Sequence, residues 1–257
     1  MRITIIGSGN VATHLAAAFK NAGHRIVQVY SRDMQHAALL AYHVKADAID
    51  DLKQVDPETD LFVIAVKDDA IATIANQLAG FKKLTVHTSG ATDLESLSAI
   101  IPQAGVFYPL QTFSKEKEID FWQVPLCIEG VDETVTTELE NLAQTISNRV
   151  YRIRSDQRKT LHLAAVFACN FPNYLYDVAR TLLANKNMDF ELLRPLILET
   201  AEKVQDNLPA YVQTGPAVRE DELTMANHLK MLDDQPQLKM IYELLSQGII
   251  TNKKAGH

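Results

Sequence analysis

Apolar and polar positions follow two different rhythms along this chain. Through the first 150 residues, short runs rich in β-branched residues recur between segments whose apolar positions fall three and four apart. That alternation predicts a parallel sheet with crossover helices. The runs place strands near 3–6, 25–30, 61–66, 83–88, 104–108, 124–128 and 149–153, with a weaker one near 44–48. The intervening segments read as helices over Val11–Asn21, Met34–Tyr42, Asp69–Ala79, Asp93–Ile100 and Glu133–Ser147.

From about Ser155 the β-branched runs stop. Apolar residues now recur at helical spacing through Leu161–Leu183, Phe190–Asn207, Leu223–Leu232 and Leu238–Leu245. The chain therefore reads as an α/β domain over 1–153, a doubly wound Rossmann-type sheet, followed by an all-helical domain over 154–257. Pro209, Gly215-Pro216 and Pro236 punctuate the helices, and the tail Thr251–His257 is expected to fray.

Composition narrows the function. With 25 basic against 32 acidic residues the net charge is −7, so no general basic surface exists to neutralise a phosphate backbone. Nucleic acid is not an expected partner. The two cysteines, Cys127 and Cys169, are too few for a disulfide framework and lack zinc-site spacing. The opening residues have no signal-peptide form, and the most apolar later stretch, Leu163–Cys169, is bounded by His162 and Asn170. No membrane partner and no metal are expected, and a reducing cytoplasm is the expected location.

The strongest local signal is Ile5-Ile6-Gly7-Ser8-Gly9-Asn10-Val11-Ala12, a buried strand entering a glycine turn and then a helix. Gly7 suits the tight turn, Gly9 lets the backbone approach a diphosphate, and Ala12 permits close packing of helix on strand. The helix start adds unpaired N–H groups and partial positive charge. Gly7, Ser8, Gly9, Asn10 and Val11 are the expected diphosphate contacts. At the end of the second strand, where an NAD site usually carries Asp or Glu, the sequence has Tyr30-Ser31-Arg32. A hydroxyl and a guanidinium suit a 2′-phosphate, which favours NADP(H), with Ser31 and Arg32 holding it. The competing reading makes Arg32 a solvated helix-start residue and gives the ribose to Asp33.

Other strand ends carry further candidates. Ala65-Val66-Lys67-Asp68-Asp69 places Val66 and Lys67 at the cofactor crevice, with either Asp suited to capping the next helix. His87-Thr88-Ser89-Gly90 offers an imidazole, two hydroxyls and close backbone approach; we read His87 as a cofactor contact and Ser89 as orienting the reacting group. Ser89 equally suits a serine-glycine turn. Tyr108-Pro109-Leu110-Gln111-Thr112 is a further strand-end loop, from which Gln111 or Thr112 can reach the same cavity. His162 and Asn170 are eight residues apart in an otherwise apolar helix, about 80° apart around an ideal α-helix axis. We assign His162 as proton donor or acceptor and Asn170 as an orienting group, since polar groups in that setting need a partner. Arg219, after Thr214-Gly215-Pro216, either clamps a substrate anion or pairs with Asp221.

Together these motifs resemble a family of Rossmann-like oxidoreductases with an all-helical C-terminal domain. That family lies in the wider superfamily of pyrroline-5-carboxylate reductase and 6-phosphogluconate dehydrogenase, which includes deazaflavin-dependent NADP reductases. The resemblance spans almost the whole chain in order. It implies an NADP(H) crevice between the domains, a helical domain that supplies substrate contacts, and a homodimer. Two departures stand out: Lys67 where the family often has proline, and Glu220 where glycine is common. The lysine-then-asparagine pair of β-hydroxyacid dehydrogenases is also missing, and His162 sits near where that lysine is expected. The resulting expectation is an NADP(H)-dependent oxidoreductase acting on a small carbonyl, imine or alcohol. The alternative is a nucleotide-sensing or regulatory protein that binds the cofactor without chemistry.

Overall fold

The structure, a computed structural model, describes residues 1–255. Two compact units divide it, Met1–Tyr174 and Leu175–His257. The first unit is a Rossmann-type α/β structure. Its strands are β1 (Arg2–Ile6), β2 (Arg25–Tyr30), β3 (Asp47–Ile49), β4 (Leu61–Ile64), β5 (Leu84–His87), β6 (Ala104–Pro109), β7 (Leu126–Gly130) and β8 (Val150–Arg152). They form one sheet in the order β3-β2-β1-β4-β5-β6-β7-β8. Every pairing is parallel except β6 with β7. Because β1 lies between β2 and β4, strand order reverses at its carboxyl end, where open α/β sheets leave a crevice.

Side-chain alternation explains why helices cover both faces. Ile3, Ile5, Leu61 and Val63 join one core cluster, while Ile6, Phe62 and Ile64, their sequence neighbours, join another. Helices α1 (Asn10–Asn21), α2 (Met34–Val44) and α5 (Glu133–Gln144) close the first cluster. Helices α3 (Ile71–Leu78) and α4 (Glu95–Ser98) close the second. A third cluster, Val106, Tyr108 and Cys127, receives Leu161 from α6 (Ser155–Ala165). Thus α6 packs with the sheet, although the texture of the sequence changes before it.

Three elements depart from their sequence-based expectation. The helix expected over 93–100 shrinks to α4, because Thr92 O, Asp93 and the Leu94 N–H are held instead by Arg158, Lys159 and Ser155 of α6. Pro102 then disfavours helical backbone at Ile101. The helix expected across 161–183 is interrupted by a π turn, Val166–Asn170, after which α7 (Phe171–Ala184) crosses into the second unit. Pro172 supplies the reason: it has no N–H to continue the ladder, and its ring crowds the carbonyl four residues earlier. The tail does not fray at Thr251, since the last helix continues to Lys254.

The second unit continues with α8 (Arg194–Asp206), α9 (Pro216–Arg219), α10 (Glu222–Met231) and α11 (Pro236–Lys254). Among its described residues only Ala217 and Leu232 are buried. No helix among the described residues is long and apolar enough to cross a membrane.

Candidate functional site

The glycine turn sits at the switch point of the sheet. Gly7 adopts φ +123° and its N–H donates to Tyr30 O at 2.8 Å. A Cβ at Gly7 would strike the Ala65 carbonyl, so the fold itself demands glycine there. Gly9 differs. Its backbone is extended, and a Cβ would meet nothing within 4 Å. It starts α1 without a side-chain cap, so the first-turn N–H groups have no side-chain acceptor at the N-cap. A diphosphate fits that niche by charge and by room. Ala12 is fully buried against the sheet and Val11 packs on the same core. The Ser8 hydroxyl donates to Ser31 Oγ at 3.1 Å, tying the turn to the end of β2. Asn10 is committed to the protein: its side-chain amide donates to Phe113 O at 2.8 Å, and His14 Nε2 bonds Ser114 O at the same distance. The strand-end loop is thereby strapped to the first turns of α1.

Beyond β2, Asp33 is the N-cap of α2 and accepts from the N–H groups of Gln35 and His36. That occupies the carboxylate oxygen Oδ1, while Oδ2 lies 3.5 Å from His36 Nδ1. Arg32 is exposed and, among the described residues, makes no ion pair or side-chain hydrogen bond. Ser31 and Arg32 therefore offer a hydroxyl and an uncommitted guanidinium side by side. At the end of β4, Val66 lies against the glycine turn, and Lys67 is exposed just before a short 3-10 turn over Asp68–Ala70.

The end of β5 turns inward. His87 is fully buried, and its Nδ1 accepts the Ser89 N–H at 3.2 Å. Burial first, and then the Arg158 guanidinium, push its pKa down to about 4, against the opposing pull of Asp93. The neutral ring braces the turn after β5 through Nδ1, while its Nε2 is buried without a hydrogen-bond partner among the described residues. Ser89 is also buried; its Oγ accepts from Ala91 and Thr92 N–H groups at 3.1 and 3.0 Å. Its hydroxyl is used as the turn-forming group.

Three elements then converge on His162. Arg158, one turn earlier on α6, is fully buried and donates to Glu129 Oε2 at 2.6 Å and to Ser155 Oγ at 3.1 Å. A third bond runs from Arg158 to Thr92 O, which pins α6 to the loop after β5. His162 follows at the i+4 position, on the same helix face. Tyr108, from the end of β6, places its hydroxyl 3.0 Å from His162 Nδ1, with the rings edge-on at 5.9 Å. Gly90 makes room for both rings: a Cβ there would lie 2.6 Å from His162 Nδ1 and 2.8 Å from Tyr108 Cζ. Burial pushes the Tyr108 phenol up to about 12, reinforced by the Cys127 thiol across the strand pair.

Asn170 ends the π turn and is exposed. The π turn corrects the angle expected between it and His162. A widened turn absorbs one extra residue, so a spacing of eight behaves like seven, about 20° short of two whole turns instead of about 80° past them. The two residues thus share nearly one helix face. In the second unit, Asp221 caps α10 by accepting from Thr224, and Arg219 is exposed without an ion pair to it.

The sequence pattern missed Tyr108 as a partner of His162, and missed Arg158 and Glu129 altogether. The usable signal was the spacing of four between Arg158 and His162, which puts them on one face of a helix.

The family model described as "NADP oxidoreductase coenzyme F420-dependent" matches residues 2–88, and the one described as "Domain of unknown function (DUF2520)" matches residues 124–249. A search of curated proteins finds no match. Among solved structures, a "putative NADP oxidoreductase" from Bacteroides fragilis is 45% identical, with a TM-score of 0.93 over 97% of this chain and 98% of that one. A protein from Thermotoga maritima is 21% identical, with a TM-score of 0.73 over 98% and 99% of the two chains. An imine reductase from Myxococcus stipitatus, in complex with NADP+, is 16% identical, with a TM-score of 0.69 over 100% and 96%. The last two likenesses are likenesses of fold.

Proposed function

This chain belongs to the family that joins an NADP oxidoreductase domain to a C-terminal DUF2520 domain, and on that premise we propose an NADP(H)-dependent oxidoreductase. It moves hydride to or from a small carbonyl, imine or alcohol. The observation that carries this reading is the contrast within the glycine turn. Ala65 excludes a side chain at Gly7, whereas nothing in the protein excludes one at Gly9. Bare backbone at that point suits the close approach of a ligand to the start of α1.

When bound, the nicotinamide supplies or accepts the hydride. Main-chain amides at Ser8, Gly9, Asn10 and Val11 hold the diphosphate, while Gly7, whose own N–H is given to Tyr30 O, shapes the turn that presents them. Ser31 and Arg32 hold the 2′-phosphate, a preference supported by the commitment of Asp33 to its helix cap. Val66 and Lys67 border the crevice, and His87 contributes through the turn that its ring stabilises. His162 exchanges the proton that accompanies the hydride, with Asn170 orienting the reacting group and Ser89 acting through the turn that its hydroxyl builds. Two free thiols, Cys127 and Cys169, suit a reducing cytoplasm. A homodimer formed through the helical unit accounts for side chains such as Leu196 and Leu244, 60% and 72% exposed in the single chain.

Calorimetric titration with NADPH and with NADH, followed by a panel of ketones, aldehydes and cyclic imines, tests the reading. The expected result is tighter binding of NADPH and oxidation of it by at least one panel member. Replacing His162 by Gln lowers that turnover by about 10²–10⁴-fold while sparing cofactor affinity. Absence of binding by either nucleotide overturns the reading. Tight binding with no turnover across the panel indicates a sensor.

A further inference from the structure

We propose that Tyr108 is a positioning residue whose phenol engages His162 Nδ1, leaving Nε2 as the single ring nitrogen that exchanges a proton with substrate. This rests on the reading of His162 as the proton-exchanging group.

The geometry is built from parts of the sheet unit 54 positions apart in the chain. Tyr108 projects from β6 on the side opposite Phe107 and stands across from Cys127 in the antiparallel register. Leu161 covers it, and its hydroxyl meets His162 Nδ1 at 3.0 Å. Gly90 lets its backbone lie against both rings, where a Cβ would strike each of them. Arg158 fixes the helix one turn before His162. The ring is therefore gripped at Nδ1 and held from its own helix.

A phenol both donates and accepts, so it serves both protonation states of its partner. Toward the neutral ring the Tyr108 O–H donates to Nδ1, because an imidazole nitrogen is a stronger base than a phenol oxygen. The proton of the neutral ring then sits on Nε2. Toward the imidazolium, Nδ1–H donates to the phenol oxygen instead. In the reducing direction the Nε2–H bond of the imidazolium would break and its proton pass to the substrate oxygen or nitrogen, a bound nicotinamide supplying the accompanying hydride to the adjacent carbon. The electron pair of that bond stays on Nε2. Proton loss leaves the ring transiently as the Nδ1–H tautomer, donating to the phenol oxygen, and a solvent proton taken up at Nε2 restores the imidazolium. Buried and high in pKa, Tyr108 remains a phenol throughout.

Long-range proton–nitrogen NMR of the full chain labelled with 15N-histidine reads this without cofactor or substrate. His162→Gln identifies the His162 signals by their loss. The wild-type neutral ring is expected as one tautomer, with hydrogen on Nε2. Tyr108→Phe is expected to turn it into a mixture of both tautomers, and Gly90→Ala to displace both nitrogen signals. An unchanged tautomer and unchanged titration midpoint in Tyr108→Phe overturn the proposal. Full panel turnover in His162→Gln would instead overturn the reading of His162 on which the role depends. Altered tautomers together with lost turnover in His162→Gln support both.

Discussion

In the sheet unit Ile3, Ile5, Phe19, Phe62 and Phe107 are all fully buried, whereas in the helical unit Leu196, Leu223, Met231 and Leu244 each expose 60% or more of their surface. Burying one such side chain is worth about 1.5–3 kcal/mol. The sheet unit has collected that energy within a single chain, whereas in the helical unit these side chains stay exposed in the single chain. The difference also divides the chemistry. The Tyr108–His162 pair and the glycine turn both stand on the self-contained scaffold, which suits groups that must be held in place.

Breaking the scaffold at its buried ion pair has the largest expected effect. Arg158→Met leaves Glu129 partly buried without its charged partner, with only Ser155 still donating to it, and costs about 3–5 kcal/mol in chemical denaturation. A loss under about 1 kcal/mol would show that α6 is not anchored there.

Acid sharpens the same point. His87 has its pKa lowered in the folded state, so the unfolded chain binds more protons between the ordinary histidine range and about pH 4. Stability is therefore fully present above about pH 6.5 and falls as pH drops through that window, by about 3 kcal/mol. His87→Asn, which keeps an acceptor for the Ser89 N–H, should flatten the slope in unfolding measured from pH 7 to 4. An unchanged slope would mean another group supplies it.

The two turn glycines should separate stability from binding. Gly7→Ala costs about 1–3 kcal/mol in thermal unfolding, from backbone strain and the clash at Ala65. Gly9→Ala changes stability by less than about 1 kcal/mol, yet weakens NADPH binding by about tenfold or more. Equal effects on both quantities would remove the argument for a ligand at Gly9.

Charge at the end of β2 should act on one nucleotide only. Arg32→Gln is expected to lower NADPH affinity about 10–100-fold, from a lost charge-assisted contact of about 1.5–3 kcal/mol, with little change for NADH. Parallel losses for both nucleotides would place Arg32 away from the 2′-phosphate.

On the helical side the effect on folding is the smallest. Leu244→Glu should alter the unfolding of the isolated chain by about 0.5 kcal/mol or less, as befits an exposed position, while light scattering moves from dimer to monomer mass. Val63→Asp, its counterpart in the sheet, is expected to abolish folding. A wild-type monomer would end the account of the exposed apolar residues.

Much of this was readable along the chain. The strand runs, the glycine turn and the helical second half follow from side-chain period and turn chemistry, which act over a few residues, and the sequence determined them by itself. The same local rules nominated Ser31 and Arg32 at one strand end and His162 on its helix. They also picked out Asn10, His87 and Ser89, but not where those side chains are spent, because their partners depend on how a loop or turn closes. Only the tertiary structure decided that His162 meets Tyr108, 54 positions away, that Arg158 reaches Thr92, 66 positions away, and that Gly90 clears the space between. Contacts of that span are set by the register of β6 on β7 and the docking of α6 on the sheet, and no periodicity in the sequence encodes either.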